Sequence, residues 1–263
     1  MNWLGIVSAS RRRSIAFDPA DTSPGLWLRA DASRLFDSNV GGSTPANGGS
    51  IGRWEDRSGN GRHYIQSNAA QRPTRQLAGY NGRDYLRMDS SWLTSSIGMS
   101  LFSGISAATI MMVYRWRTLP TTFRHAMFWS GANAVDSTRI SMGGGLTSGN
   151  LYIYARRIDG GADARLDYPI TGDEFVLQTG VVNYSTTSAQ LYTDGILRAS
   201  SSSFLTAGTT SAAPSLRSSI GSHNGSTFCD IDVAEVLAWP RQLSSAELSS
   251  MHAHLAGYYA PPS

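Results

Sequence analysis

Three carboxylates, Asp230, Asp232 and Glu235, fall within six residues of one apolar segment at 229–239. Paired carboxylates are the equipment of glycoside hydrolysis. One protonates the leaving oxygen, and in the retaining mode the other attacks as nucleophile from about 5 Å away. The same residues fit a structural role, with Asp230 and Asp232 flanking a strand edge and Glu235 bonding backbone or an arginine near the following helix, and that role is expected here. A second chemistry is sugar recognition, which uses aromatic platforms flanked by polar groups. On the segment 151–157, Tyr152, Tyr154 and Arg156 share the parity opposite to the apolar Leu151, Ile153 and Ala155. That alternation places the two rings on an exposed sheet face suited to ligand or protein contact. Arg115 and Arg117 would extend such a face on another strand. The alternative is that these tyrosines simply cover the outer sheet or pack on a neighbouring subunit.

Hard cations want several oxygen ligands at about 2.4 Å. Asp56, Asn60, Asp194 and Asp230 could converge, but no dense Asp-x-Asp-x-Asp loop is present. No cofactor is therefore expected, and a structural calcium is the lesser alternative. The five histidines, His63, His125, His223, His252 and His254, are scattered. His252 and His254 lie two apart, which on a helix turns them about 200° from each other, so zinc is not expected either. Gly143-Gly144-Gly145 lacks the Lys-Ser or Lys-Thr of a phosphate loop and reads as a flexible turn.

The N-terminus carries a third kind of chemistry. Trp3, Leu4, Ile6 and Val7 precede Arg11, Arg12 and Arg13 in a segment too short to fold alone. Apolar anchors that fill a partner's groove, followed by arginines that meet its acidic residues, describe a docking peptide. Its positive charges follow the apolar residues, the reverse of a secretory signal, so residues 1–23 are read as a working arm and 24–263 as one domain.

The elements that must position these groups are mostly strands. The chain has 27 Gly, 7 Trp and 11 Tyr among 263 residues, the profile of many short strands joined by tight turns. A chain of this length buries enough surface to need no cross-links, and its single cysteine, Cys229, forms no internal disulfide. All 22 basic residues are arginine, interspersed with 19 acids for a net charge of +3, so a groove-binding nucleic-acid surface is not expected. No apolar run approaches the roughly 18–20 residues of a membrane span. At 107–117, Ile110, Met112, Tyr114 and Trp116 alternate with Thr109, Met111, Val113, Arg115 and Arg117, the period of a strand with one buried face. Further strands are expected at 25–31, 63–66, 85–89, 125–130, 139–142, 151–157, 174–184 and 229–239. Asp194-Gly195 between 189–193 and 196–199 is a strong hairpin signal. One helix is expected at 246–255, with Ser244 as N-cap and Glu247 completing a capping box. The absence of βαβ alternation points to an all-β fold, an antiparallel jelly-roll β-sandwich with one short C-terminal helix and an extended N-terminal arm.

Two stretches carry a family resemblance. Trp54-Glu55-Asp56-Arg57-Ser58-Gly59-Asn60-Gly61, followed by Arg72-Pro73 and Asn81-Gly82, resembles the N-terminal half of the concanavalin A-like, laminin-G-like jelly rolls. Ile220-Gly221, then 230–239, Arg241, Leu243-Ser244 and Glu247, resemble their closing strand and short helix. The resemblance implies the sandwich over 25–259. It leaves function open among lectins, adhesion modules, enzymes and virion proteins. Glycoside hydrolases of the laminarinase type in this superfamily place three acids on one bulged strand, and here the first is Asp230 where they have Glu. Laminin-G-like modules often carry calcium.

A lectin-like sandwich, an anchor-like arm and no secretion signal together fit a bacteriophage virion component. The expectation is a non-enzymatic decoration, fibre or tail-associated protein located in the virion. Its arm would bind other virion proteins, alongside copies of itself, while the sandwich faces outward to adhere to host-surface polysaccharide or to reinforce the shell. The alternatives are a polysaccharide hydrolase using Asp230, Asp232 and Glu235, or a free carbohydrate-binding module.

Overall fold

A computed structural model describes residues 17–95, 98–130, 138–145, 149–170, 173–212, 217–223 and 225–260. The described strands are, in chain order, β1 (Leu26–Arg29), β2 (Leu35–Phe36), β3 (Arg53–Trp54), β4 (Tyr64–Ile65), β5 (Thr74–Tyr80), β6 (Arg83–Met88) and β7 (Leu93–Ser95). There follow β8 (Ala107–Trp116), β9 (Arg124–Ser130), β10 (Arg139–Gly144), β11 (Asn150–Arg156), β12 (Asp163–Pro169) and β13 (Val176–Asn183). The series closes with β14 (Ser188–Thr193), β15 (Ile196–Ser201), β16 (Arg217–Ile220), β17 (Ser222–His223), β18 (Ser226–Phe228), β19 (Ile231–Trp239) and the helix α1 (Ser245–Tyr258).

They build the expected antiparallel sandwich. An eight-stranded sheet runs β15-β14-β13-β8-β19-β6-β5, with β1 also paired to β19. A nine-stranded sheet runs β12-β11-β10-β9-β16-β7-β4-β3-β2, and β17-β18 form a separate hairpin. The core lies between the sheets, where Ile110, Met112, Tyr114 and Trp116 of β8 meet Met127, Trp129, Met142 and Ile153 of the opposite sheet. The alternate residues of β8 are not free. Met111 and Val113 pack under Leu248, Met251 and Leu255 of α1, so β8 is buried on both faces rather than one. The helix brings its own apolar stripe, which a flat sheet face must cover to exclude water.

Local sequence signals set the ends of several elements. Asp194 and Gly195 take φ of 52° and 76°, the positive pair a two-residue hairpin requires. Ser244 and Glu247 form the reciprocal capping box of α1. Gly143 and Gly144 belong to β10 and are not part of a flexible turn. The strand expected at 63–66 is β4, whereas sequence patterning passes over β5, β12, β16 and the two- or three-residue strands β2, β3, β7, β17 and β18.

Residues 18–22, read from sequence as part of the arm, are fastened to the sandwich. Asp18 caps a single 3-10 turn at Pro19–Thr22, the Trp239 indole N–H donates to the Thr22 hydroxyl at 3.1 Å, and Arg241 donates to the Thr22 carbonyl at 2.9 Å. Arg241 also grips Glu247 at 2.7 Å, which ties this entry segment to the helix start. The Arg241 hydrogen bond, with lesser help from the Ser244 cap, holds the Glu247 carboxyl down at about 2, below its ordinary 4.5. A depressed folded-state pKa stabilises the fold above the unfolded value and loses that contribution as pH falls through the folded one. The stability difference between wild type and Glu247→Gln, measured by urea denaturation, should be constant above about pH 5 and shrink toward zero near pH 2.

Candidate functional site

The acid strand comes first. Along β19, Ile231, Val233, Val236 and Ala238 face the core while Ala234, Leu237 and Trp239 face the helix side. A bulge between Val233 and Glu235 resets the alternation, so that Asp232 stands opposite Arg115 and Glu235 opposite Val113, both on the outward face. Two carboxylates thus share one face, as a hydrolase would need. Both, however, are fully buried. Asp232 accepts from Arg87 at 3.0 Å and Arg115 at 2.8 Å, one on each oxygen. Glu235 accepts from the Trp27 indole at 2.6 Å, from Arg29 Nε at 3.0 Å and from the Tyr259 hydroxyl at 2.8 Å. Burial works to lower the Arg29 guanidinium, but the charge and hydrogen bond of Glu235 outweigh it and hold the group above its usual range. Asp230, just before the strand, is held by Arg117 at 2.7 Å. Arg115 and Arg117 are therefore engaged in ion pairs on the eight-stranded sheet, and they do not extend the tyrosine face, which belongs to the other sheet.

That other face is built by β9 to β12. Tyr152, Tyr154 and Arg156 do point outward, as their parity dictates, but only Tyr154 reaches solvent. Tyr152 is fully buried beneath Phe123, their rings stacked at 4.6 Å, and its hydroxyl donates to the Arg124 carbonyl at 2.5 Å. Arg156 is also buried, with Nε 2.6 Å from Asp163. The expectation that all three are exposed is corrected: Phe123, on the segment before β9, folds down over Tyr152, and Arg156 is drawn onto Asp163. Gly143 makes this possible. It stands opposite Tyr152, and a Cβ there would collide with the Arg124 carbonyl and the Tyr152 hydroxyl.

Register assembles the rest. Ser219, Phe128, Ser141, Tyr154 and Arg165 stand opposite one another across β16, β9, β10, β11 and β12, a row of about 19 Å at ordinary strand spacing. Phe123 meets Tyr154 edge-on at 5.6 Å, and His125 lies against His223 at 4.9 Å, with His223 against Phe128 at 4.4 Å. Burial first, then the neighbouring His223 for His125 and the Arg139 charge for both, holds the two imidazoles below their ordinary range, so this cluster is neutral at neutral pH. Burial, reinforced by a hydrogen bond to Asp163, pushes the Tyr154 hydroxyl up to about 12, which keeps it a hydrogen-bonding phenol at neutral pH. Beside it Arg165 donates to Asp167 at 2.7 Å, both about a quarter exposed. The site is thus an aromatic ledge with a fixed cation and anion at its rim. Phe123, Arg165 and Asp167 were not singled out from sequence, and His223 was weighed only as a zinc ligand. The alternation of Ala164, Leu166 and Tyr168 with Asp163, Arg165 and Asp167 is the signal that could have found two of them.

The candidate calcium ligands do not fit a calcium site. Asp56 accepts from the backbone N–H groups of Trp27, Ser58 and Arg62, and Asn60 donates to the Gly25 carbonyl. Asp194 caps the Leu177 amide, and Asp230 binds Arg117 at the far end of the sheet. Among the described residues no group of three or more metal-ligating side chains converges. Trp3, Leu4, Ile6, Val7, Arg11, Arg12 and Arg13 lie outside the described residues. One outcome separates structural from catalytic use of the acid strand. Glu235→Gln should lower unfolding free energy in urea by about 3–5 kcal/mol, because it leaves the buried Arg29 charge uncompensated.

No curated protein matches the chain. Among solved structures, the binding domain of Paraclostridial Mosquitocidal Protein 1 is similar at 17% identity and a TM-score of 0.61, covering 89% of this chain and 52% of that one. The Botulinum Neurotoxin serotype G binding domain aligns at 12% identity and 0.57, with 89% and 51% covered. The receptor binding domain of botulinum neurotoxin D aligns at 9% and 0.57, with 90% and 54% covered. The chain spans about half the length of these structures, and at such identities the likeness is one of fold. The family model of the concanavalin A-like lectin/glucanases superfamily (Laminin_G_3) matches residues 89–249, from the end of β6 into α1 and more than half of the chain. With both sheets, the bulged closing strand and the capped helix inside or beside that span, the chain belongs to this superfamily.

Proposed function

We propose that this chain is a non-catalytic glycan-adhesion domain that binds through the outer face of the nine-stranded sheet. The observation that carries the reading is the ledge of Phe123 and Tyr154 beside the prearranged Arg165–Asp167 pair. Aromatic rings accept the apolar C–H face of a sugar, and a fixed donor and acceptor at the rim select hydroxyl positions. The acid strand supports the same reading from the other side. A retaining hydrolase needs an acid and a nucleophile open to substrate, whereas Asp232 and Glu235 are closed from solvent and hydrogen-bonded on every oxygen. The similar solved structures being binding domains accords with it.

The finer part of the proposal concerns the assembly. The domain is displayed on a bacteriophage virion, as a decoration, fibre or tail-associated protein, alongside further copies of itself and other virion proteins. Its support is the arm chemistry of Trp3, Leu4, Ile6 and Val7 ahead of three arginines, joined to the domain by the fastened turn at Pro19–Thr22. No metal or nucleic acid enters this reading.

On an array of bacterial surface polysaccharides, the wild-type domain should bind at least one, and Tyr154→Ala or Arg165→Ala should weaken that binding at least tenfold with an unchanged melting temperature. A tenfold loss corresponds to about 1.4 kcal/mol, in the range of one stacking contact with its rim hydrogen bond. Reducing-sugar release by the wild type from the same polysaccharides would sink the non-catalytic reading. Deleting residues 2–16 should leave the domain folded and abolish incorporation into particles, and full incorporation of that variant would count against the virion assignment.

A further inference from the structure

We propose a second carbohydrate site, on the opposite sheet, that takes a neutral oligosaccharide. It is independent of the aromatic ledge and needs none of its residues. The outer face of the eight-stranded sheet is covered by α1 over β8, β13 and β19, and α1 meets β14 through His252, 5.5 Å from the Tyr192 ring, while Ser200 on β15 stays exposed. Cross-strand register places Val181, Gln190 and Ser200 opposite one another on β13, β14 and β15. Ser188 and Tyr192 share the outward parity of Gln190, because Ala189 and Leu191 point into the core.

The link from β19 to α1 forms the other wall. Two adjoining cavities of about 290 and 630 Å³ share Gln190 and Gln242, so they read as one groove running from the β14–β15 edge to the first turn of the helix. Its lining is hydroxyl and amide at Ser188, Ser200, Ser202, Gln190 and Gln242, with one ring, Tyr192, and the apolar Val181, Leu243 and Leu248 beside them.

The fixed hydrogen bonds define what remains to be satisfied. The Tyr192 hydroxyl donates to Gln190 Oε1 at 3.1 Å, and Asn183 donates to Gln242 Oε1 at 2.8 Å. Both glutamines are thereby oriented, with their amide N–H₂ groups left to serve as donors in the groove. The charged pair at its end, Arg241 and Glu247, is closed on itself. The groove therefore offers oriented neutral donors, hydroxyls of either role and an amphipathic ring, but no net charge. A nucleic acid would need unpaired cations and an apolar peptide would need deeper apolar pockets. A chain of uncharged sugar hydroxyls matches what is there.

The test is NMR titration of the isotopically labelled full chain with laminari-, cello- and malto-oligosaccharides, following the side-chain amide signals of Gln190 and Gln242. At least one series should move both signals saturably at millimolar concentration. Ser200→Trp, an exposed substitution that fills the groove, should abolish the movement, and Gln242→Ala should weaken the affinity at least fivefold at unchanged melting temperature. Tyr154→Ala should leave the titration as in wild type, which separates failure of this site from failure of the ledge. The proposal is overturned if none of the three series shifts these signals, or if the same shifts persist in both groove variants.

Discussion

A single buried negative charge organises one whole side of this sandwich. Glu235 sits on the last strand, yet its partners are Trp27 and Arg29 on the first and Tyr259 just past the end of the helix. Removing a carboxylate from water costs several kcal/mol unless charge and hydrogen bonds replace the solvent, so the three elements must arrive together. Arg29 then serves two neighbours, with its guanidinium 4.0 Å from the Tyr258 ring centroid as well as on Glu235. Asp232 repeats the device a few residues away and joins β6 to β8 through Arg87 and Arg115. The carboxylates that look most like catalytic equipment are the fasteners of the fold.

That arrangement governs where the surface stays open. With α1 seated over β8 and β19 and the acids closed by Arg87, Arg115, Trp27, Arg29 and Tyr259, the centre of the eight-stranded sheet is interior on both faces. Phe123, His223 and the β17–β18 hairpin cover much of the opposite sheet in the same way. What remains accessible lies toward the margins, at the Tyr154–Arg165 rim on one sheet and along β14 and β15 on the other. In the proposed reading, recognition falls not on the closing strand but on places where a side chain is oriented by a neighbour and still meets water.

Much of this is legible in local sequence wherever one physical effect dominates. Asp194-Gly195 demands a primed turn because both residues take positive φ, and Ser244 with Glu247 starts a helix because the first-turn amides need acceptors. The alternation of Ile110, Met112, Tyr114 and Trp116 marks a core face outright. Strands of two or three residues, such as β2, β3 and β7, show no period long enough to read, and they exist only because their neighbours supply hydrogen bonds. The pattern at 151–157 is the instructive case. Its parity is right, since Tyr152, Tyr154 and Arg156 do face away from the core, but parity says nothing of what lies above the sheet.

The sequence by itself therefore determined the class of fold, its hairpin, its capped helix and the facing of strands that alternate regularly, because those follow from backbone periodicity and near-neighbour hydrogen bonding. Only the tertiary structure decided which outward residues meet solvent. It set Phe123 over Tyr152, drew Arg115 onto Asp232 and brought Trp27 and Tyr259 to Glu235 from more than two hundred residues before it and from the chain's other end. Burial and charge pairing depend on contacts distant in sequence, and no local period encodes them.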